Sequence, residues 1–214
     1  MLRSTKIEVE LLAITPDSEK LIEQAGRTCY QSHDHTKAGS EKSFIEKIIK
    51  NGHHSVLEHA TATFRIAGVS RSFTHQLVRH RLMAISQQSQ RYCNAANFAY
   101  VMPMAIKDNP QAAKFFDEFM AIAKDRYHKL QQMGLKNEDA RYVLPNAVCS
   151  EIVISANFRE LRHIFTVRCS KKAQLEIRRC ALVMLNIMKQ QAPAVFADFV
   201  IDEQNQTASS PFVH

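Results

Sequence analysis

The amino-acid sequence predicts a single α+β domain with a mainly antiparallel sheet flanked by helices and with long helices in its C-terminal half. Segments of period-two alternation are scattered between helical segments, without the regular alternation or the G-x-G-x-x-G turn of a doubly wound nucleotide fold. The chain has 214 residues, 45% of them hydrophobic, so it can bury its own core. Because no Pro/Gly-rich linker interrupts it, one domain is predicted over residues 1–214, with a frayed tail from about residue 203.

The first half of the chain predicts three strands and three helices. Apolar and polar residues alternate, as in half-buried strands, over 6–13, 60–66 and 98–102. Cap and stop residues predict a helix beginning at Thr15-Pro16, a helix from Ser40 that ends before Asn51-Gly52, and a short helix from about Ser70 to Arg79. The polar segment from Gln31 to Gly39 is predicted to be a loop.

The second half of the chain predicts the long helices. Asn109-Pro110 opens an amphipathic helix that Gly134 ends, and Arg141 lies on a short helix after it. A buried strand is predicted over 147–156. Asn157 and Glu160 have the spacing of a capping box for a helix that runs to Val167. The last helix is predicted from Ser170 to about Gln190.

Charge and cysteine content narrow the class of protein. The formal charge of +7 favours an anionic partner, but it does not distinguish nucleic acid, nucleotide and solvent. No stretch has the apolar length of a membrane helix or the form of a secretory signal, so no membrane association is predicted. The five cysteines are odd in number and contain no C-x-x-C, which argues against a disulfide framework and a zinc ribbon and favours a reducing cytoplasm.

The densest functional pattern begins at Gln76-Leu-Val-Arg79-His80-Arg81 and continues, after seven intervening residues, with Ser89-Gln90-Arg91. Guanidinium groups match phosphate geometry through paired hydrogen bonds and stay charged at any working pH. Several of them converging on one point would suit a phosphate monoester. The alternative is that basic residues near a helix C-terminus only oppose the helix dipole and face water.

Two further patterns contain histidines, and the second of them also contains arginines. In His53-His-Ser55-Val-Leu-Glu58-His59 the spacing does not match H-E-x-x-H, so no metal site is predicted, and Ser55 with Glu58 forms a capping-box pair. The third pattern runs from Asn157 to Arg168.

In this third pattern Arg159, His163 and Val167 form a stripe on one side of the helix, and Arg162, which lies off it, is expected to be solvated. Arg168 has the alternative interpretation of a partner for the helix dipole. The cysteines at positions 93, 149 and 169 invite a nucleophile hypothesis, but free cysteines are more often buried as small hydrophobic residues.

These patterns together resemble the flavin-dependent thymidylate synthase family. The resemblance covers roughly residues 5–200 and rests on motifs in the family's order. The motifs are Gly52-His53, Glu58-His59, Gln76, the run Arg79-His80-Arg81 followed by Ser89-x-Arg91-Tyr92, Ala140-Arg141-x-Val143-Leu144-Pro145, and Asn157-x-Arg159 leading to Arg168.

The resemblance implies reductive methylation of dUMP to dTMP, with methylene-tetrahydrofolate as carbon donor, NADPH as reductant and FAD as hydride carrier. It also implies an α+β domain and a homotetramer with active sites at subunit interfaces. The residues it implies for dUMP binding are Gln76, Leu77, Val78, Arg79, Gln87, Gln88, Ser89, Gln90, Arg91, Arg141 and Arg168. Those it implies for FAD binding are Ser55, Glu58, Arg79, His80, Arg81, Gln87, Asn157, Phe158, Arg159 and His163.

Three residues are implied to take part in the chemistry. Arg168 would stabilise the anionic uracil that becomes nucleophilic, because a cation beside the ring nitrogen offsets the developing charge. Ser89 would orient the substrate, since no base that could activate its hydroxyl is visible. His53 would contact the flavin or the folate.

The chain departs from the family pattern at two places. Ile85-Ser86-Gln87 replaces a common Tyr-Asn-Glu, so an amide stands where a carboxylate is frequent. Lys172 replaces a common histidine. Neither change affects the arginines.

Two other classes of protein compete with this interpretation. A basic nucleic-acid-binding protein would explain the charge, but such domains interleave aromatic residues with basic ones, and no aromatic residue lies between Phe73 and Arg91. No nucleic-acid partner is therefore predicted. A flavin-free thymidylate synthase would need a cysteine nucleophile, which the sequence does not place in the required pattern.

Overall fold

The computed structural model describes residues 6–212 and has the predicted α+β fold with a mainly antiparallel sheet. Its helices are α1 (Ser18–Tyr30), α2 (Ser40–Lys50), α3 (Arg71–Leu77), α4 (Met104–Lys107), α5 (Pro110–Gln132), α6 (Asn137–Ala140), α7 (Phe158–Arg168), α8 (Leu175–Gln191) and α9 (Pro193–Phe196). Its strands are β1 (Glu8–Ile14), β2 (Thr61–Ser70), β3 (Met83–Gln87), β4 (Cys149–Asn157), β5 (Val200–Asp202) and β6 (Thr207–Ser209). Short 3-10 turns lie at His33–His35, His54–His59 and Arg141–Val143.

The larger sheet has four strands in the order β1-β2-β4-β3, and β5 pairs antiparallel with β6. The residues fall into two compact units. Unit 1 contains the described residues up to Glu8 together with Ile66–Arg79 and Ser86–Val153. Unit 2 contains Val9–Arg65, His80–Ile85 and the chain from Ile154 onward.

The core of unit 1 forms around the long helix α5. The side chain of Asn109 accepts hydrogen bonds from the backbone N–H groups of Gln111 and Ala112, and Pro110 follows at the first helical position, as the sequence predicts. Gly134 has a φ of 83°, a left-handed conformation that favours glycine and stops the helix. The apolar face of α5 contributes Met120 to a cluster with Phe98, Tyr100 and Val148.

The core of unit 2 contains a group of phenylalanine rings. The Asn157 side chain accepts a 2.8 Å hydrogen bond from the backbone N–H of Glu160 and so begins α7 at the predicted place. Phe165 of α7 packs edge to face with Phe196 and Phe199, at centroid distances of 5.7 and 6.1 Å. These contacts fix α7, which carries several of the predicted site residues.

The expectation that Arg162 is solvated is wrong. Its side chain is 4% exposed and forms two hydrogen bonds of 2.6 and 2.7 Å to the carboxylate of Asp198. Its guanidinium carbon also lies 5.0 Å from the centroid of the Phe199 ring. Burial alone raises the pKa of the Asp198 carboxyl, but hydrogen bonds from Arg162 and Ser210 outweigh that effect and lower it. Arg162 therefore belongs to the packing of unit 2, because a distant acid supplies its counter-charge.

Several predicted elements differ from the observed ones. Residues 98–102 form no strand and make a single antiparallel bridge, Tyr100 to Val148. The strand β3 was not predicted, because its residues are largely exposed and lack the alternation of a half-buried strand. The helix predicted from Ser170 begins at Leu175, since Ser170 turns its hydroxyl back to the Val167 carbonyl.

The tail predicted to fray is instead ordered as far as the structure describes it. The hairpin of β5 and β6 places Ala208 in the core, and the Ala208 N–H donates a 3.0 Å bond to the carbonyl oxygen of Cys169. Backbone pairing and the burial of Ala208 therefore hold the tail in place. The amino-acid composition of the tail indicates neither of these interactions.

Among residues 6–212, no helix combines the length and the apolar character that crossing a bilayer requires. Even α5, which has 23 residues, has charged residues on one face and apolar residues on another.

Candidate functional site

Unit 1 carries what we call the arginine cluster, formed by Arg71, Arg91, Arg141 and Glu138. Arg91 Nε donates a 2.9 Å bond to the Glu138 carboxylate, and Arg141 Nε donates a 3.2 Å bond to the Glu138 carbonyl oxygen. Arg71 Nη2 donates a 3.3 Å bond to the carbonyl oxygen of Gln88. The structure thus gathers arginines from α3, from the loop after β3 and from the 3-10 turn after α6.

The loop of residues 88–91 is a tight turn beside a cavity of about 310 Å³. Ser89 Oγ accepts a 3.2 Å bond from the backbone N–H of Arg91, and the Gln88 N–H donates to the Glu151 carbonyl oxygen of β4 at 2.9 Å. Gln88, Ser89 and Gln90 line the cavity together. The bond that the structure gives Ser89 Oγ comes from a backbone amide rather than from a side-chain base, which favours an orienting role.

The arginine cluster has an excess of positive charge. Burial lowers the pKa of Arg71, and the nearby cation of Arg141 lowers it further. Glu138 is the carboxylate that pairs with Arg91, so the cluster can accommodate an additional anion. Arg71 was not among the predicted residues. Its position five residues before Gln76 in an arginine-rich segment is the signal that could have indicated it.

The remaining predicted nucleotide residues of unit 1 divide into accessible and inaccessible ones. Arg79 is exposed. Leu77 is buried in the core, so its side chain cannot reach a ligand, and Val78 is half-buried at the end of α3. Gln76 is half-buried and donates to the Ser72 carbonyl oxygen of its own helix.

Gln87, at the end of β3, points its amide into unit 1. Its Nε2 donates to Thr74 Oγ1 at 2.8 Å and lies 3.3 Å from Ser150 Oγ. Both partners are hydroxyl groups, which can donate as well as accept. A carboxylate at this position could accept a bond from Ser150 Oγ, but a bond from Thr74 Oγ1 would require breaking the one that this hydroxyl donates to the Arg71 carbonyl oxygen.

Unit 2 carries what we call the histidine cluster, formed by His80, Glu160, His163 and Arg168. Arg168 Nε donates a 2.9 Å hydrogen bond to His80 Nε2. His80 Nδ1 lies 3.5 Å from Glu160 Oε1, and the His80 and His163 rings meet edge to face with centroids 5.4 Å apart. His80 and Glu160 are each 5% exposed.

The protonation of His80 follows from these contacts. Burial lowers the pKa of His80 to about 4, with smaller contributions from the positive charge of Arg168 and from His163. The imidazole is therefore neutral at pH 7. Because its Nε2 accepts from Arg168, its proton must lie on Nδ1, which faces Glu160. Burial also raises the pKa of Glu160.

The predicted flavin residues of unit 2 lie mainly at its surface. Arg159 Nη1 donates a 2.6 Å bond to Glu58 Oε1, and both side chains are about half exposed. His53, Ser55, Arg81 and His163 are also exposed. This set of cations, imidazoles and a hydroxyl has the donors that the phosphates and the polar ring edge of a flavin dinucleotide require.

Two expectations about this surface are wrong. Ser55 and Glu58 form no capping box, because residues 54–59 form a 3-10 turn without a side-chain cap, and Glu58 pairs with Arg159 instead. Phe158 is fully buried against Phe196, so its ring cannot contact a cofactor. Asn157 uses its side-chain oxygen to cap α7.

The cysteines and the potential metal ligands are the remaining candidates for a chemical role. Burial raises the pKa of Cys169 to about 12 and also raises that of Cys180, so both remain thiols. Cys93 lines the cavity beside Ser89 and is exposed. In the part of the chain that the structure describes, no group of three or more His, Cys, Asp or Glu side chains could hold a metal ion.

Comparison with known proteins identifies one family. The family model described as "Thy1: Thymidylate synthase complementing protein" matches residues 10–194. A flavin-dependent thymidylate synthase of Geobacter sulfurreducens is 42% identical over 200 residues, covering 90% of this chain and 86% of the relative. Another, from Nitratidesulfovibrio vulgaris, is 41% identical over 212 residues with the same coverages of 90% and 86%.

A solved structure shares the fold. It is described as a UMP/dUMP methylase PolB from Streptomyces cacaoi bound with 5-Br dUMP. The TM-score is 0.81 at 24% sequence identity, covering 92% of this chain and 95% of that one.

Proposed function

The chain belongs to the Thy1 family of thymidylate synthase complementing proteins, and from this premise we propose that it converts dUMP to dTMP as a flavin-dependent thymidylate synthase. We propose FAD as its flavin, methylene-tetrahydrofolate as its carbon donor and NADPH as its reductant. The observation that carries the proposal is the family match over residues 10–194, because Gln76, Ser89 and all the arginines assigned to ligands lie inside that span.

In this proposal the arginine cluster binds the phosphate of dUMP. A phosphate monoester has three oxygens and close to two negative charges at neutral pH, so it is best matched by several guanidinium forks. Arg91 and Arg141 of the cluster, together with Arg79 outside it, are the assigned donors, and the structure adds Arg71 as a source of positive charge. Ser89 holds the turn of residues 88–91 and so orients the nucleotide.

Arg168 is proposed to act on the uracil. Methylation requires electron density at the carbon that accepts the one-carbon unit, and the anionic form of the uracil, whose ring-nitrogen proton has passed to solvent, supplies it. A fixed guanidinium beside that nitrogen and its flanking carbonyl oxygens stabilises the resulting anion without a costly reorganisation of solvent. Arg168 is half-buried and hydrogen-bonded to His80, so its orientation is restricted before substrate arrives.

The surface of unit 2 is proposed to hold FAD. Arg81 and Arg159 would neutralise its phosphates, while Ser55, His53 and His163 would contact its polar edges. Bound FAD supplies the hydride transfer, and the chain supplies binding and orientation. Asn157 supports this surface indirectly, since its cap sets where α7 begins and therefore where Arg159 and His163 lie.

We further propose a homotetramer with active sites where subunits meet, in a reducing cytoplasm. A tetramer would let different copies of the chain contribute the two clusters to one dUMP. The five cysteines are all free thiols, as a reducing compartment requires. Because Cys169 and Cys180 are buried with raised pKa values, they are poor candidates for the nucleophile of a flavin-free enzyme.

The test combines a spectrum with a product assay. The purified protein should show flavin absorption bands that persist through gel filtration. With dUMP, methylene-tetrahydrofolate and NADPH it should form dTMP, detected by chromatography. Omission of each component in turn is the control. A colourless protein that binds no added FAD, or a flavin-loaded one that forms no dTMP, would contradict the proposal.

A further inference from the structure

We infer that His80, with Glu160 behind it, is a positioning residue that holds the guanidinium of Arg168 in its working orientation. This inference rests on the proposed function, because Arg168 is the residue assigned to the uracil anion. It gives His80 a role for its side chain other than contact with FAD, which the sequence resemblance implies for the same residue.

The first step of the argument is the contact itself. Arginine has no acceptor, and only a neutral imidazole nitrogen can accept from its Nε. The 2.9 Å bond from Arg168 Nε to His80 Nε2 therefore requires the tautomer with its proton on Nδ1. A protonated His80 would face the guanidinium with a second donor and a second positive charge.

The second step concerns what fixes that tautomer. His80 Nδ1 lies 3.5 Å from Glu160 Oε1, and both residues are 5% exposed. A buried acceptor beside Nδ1 favours the proton there and leaves Nε2 as the acceptor. The three groups thus run from carboxylate to imidazole to guanidinium, and the carboxylate contact favours the tautomer of His80 that accepts from Arg168.

The third step is the way the fold supplies these groups. Glu160 lies in the first turn of α7 and Arg168 is its last residue. Neither residue is in the helical register to reach the other directly. His80 comes from the segment between α3 and β3 and bridges them from outside the helix. A bond at Nε sets the plane of the guanidinium, and that plane decides whether its other N–H groups can meet a planar uracil edge.

A double-mutant cycle separates this role from a merely structural one. Glutamine is long enough to place an acceptor near the position of His80 Nε2, whereas asparagine reaches only the position of Nδ1. We expect His80→Asn to lower kcat for dTMP formation by about tenfold to a hundredfold, and His80→Gln to recover most of it. In an Arg168→Ala background, His80→Asn should change kcat by less than about twofold, because the residue it acts through is gone.

Two controls accompany the cycle. Flavin content and thermal midpoint should be the same for the Asn and Gln variants at position 80, which excludes loss of cofactor or of folding as the cause. His54→Gln is the matched control variant. His54 is a partly buried histidine of unit 2 whose Nε2 contacts the Ile49 carbonyl oxygen, and its replacement should leave kcat within about twofold of the wild type.

The same cycle is measured on the dissociation constant of dUMP by calorimetry. If the wild type binds dUMP but forms no dTMP, the proposed function fails, while coupling between positions 80 and 168 in affinity still supports the positioning role. Equal effects of His80→Asn in the two backgrounds would overturn the inference, as would a Gln variant no better than the Asn variant. If neither variant at position 80 folds, Glu160→Met provides the same test, with a severalfold loss expected only while Arg168 is present.

Discussion

The charged side chains of the arginine cluster in unit 1 are exposed or half-buried, whereas His80, Glu160 and Arg162 in unit 2 are buried. The Arg91–Glu138 pair of unit 1 leaves its side chains 52% and 37% exposed. The Arg162–Asp198 pair of unit 2 is joined by two hydrogen bonds and leaves its side chains only 4% and 10% exposed. The same pairing chemistry therefore serves two purposes.

Exposed cations are available to an incoming anion, because little has to be broken when the anion arrives and water already solvates them. Buried cations have lost their water and depend on fixed partners. This difference agrees with the proposed function, in which the arginines of unit 1 recognise a ligand while the buried Arg162 maintains the fold. Arg168 is half-buried and is held by a hydrogen bond to His80.

The largest effect should come from breaking the buried pair. Arg162→Met keeps much of the volume but leaves the Asp198 carboxylate buried without its cation, so the free energy of unfolding should fall by about 3–5 kcal/mol. Urea denaturation measures this loss in the free energy of unfolding. Glu138→Gln, which breaks the exposed pair of unit 1, is the matched control and should cost no more than about 1 kcal/mol. Equal losses in the two variants would remove the distinction between the units.

The next effect is on pH dependence. The folded-state pKa of His80 is lowered from 6.5 to about 4, so between these values the unfolded chain binds more protons than the folded one. Stability must then fall as the pH drops through this window, by up to about 1.4 kcal/mol per pH unit and about 2–3 kcal/mol in total. Thermal midpoints at pH 7 and pH 4.5 should therefore differ more for the wild type than for His80→Gln. An identical pH dependence in both proteins would mean that His80 titrates normally.

A smaller effect is expected on substrate affinity. Arg141→Ala should weaken dUMP binding by roughly tenfold to thirtyfold, equivalent to about 1.4–2 kcal/mol, because a charge-assisted hydrogen bond to phosphate is lost. Deoxyuridine, which has no phosphate, should bind the variant and the wild type equally. Arg126→Ala on α5 removes an exposed arginine outside the cluster and should leave both affinities unchanged. Isothermal calorimetry gives these constants, and a weakened deoxyuridine complex would place Arg141 elsewhere on the ligand.

The smallest effect should follow Ser89→Ala. The hydroxyl that orders the turn of residues 88–91 is lost, while the backbone bond from Cys93 N–H to the Ser89 carbonyl oxygen remains. Activity should fall about threefold to tenfold, in keeping with one neutral hydrogen bond. Steady-state kinetics of dTMP formation with a dUMP binding isotherm measure it. Complete loss of turnover with normal dUMP binding would instead make Ser89 a nucleophile.

Local signals predicted the elements whose ends are fixed by their own sequence. Helix α5 begins at Asn109-Pro110, and α7 begins after the cap at Asn157, because a side chain and a backbone amide a few residues apart decide both. Strand β3 and the hairpin of β5 and β6 were missed. Their stability comes from pairing with other backbone segments. The pattern of apolar and polar residues within a short exposed segment does not indicate such pairing.

The candidate site shows the same division. The arginines, Ser89 and the histidines of the candidate site were predicted from motifs, because the residue types and their spacing carry the information. Arg71, Glu138 and Glu160 were not among the predicted site residues, because each makes its contact with a residue far away in the sequence. Arg162 was misplaced for the same reason, since its counter-ion Asp198 lies 36 residues along the chain.

The sequence by itself therefore determined the α+β class, the positions of the main helices, and the set of side chains that resemble those of a flavin-dependent thymidylate synthase. These depend on local propensity and on residue type. Only the tertiary structure decided which charges are buried and which are exposed. Burial and pairing arise when segments distant in the sequence meet, and they set both the free energy of each charge and the direction in which Arg168 points.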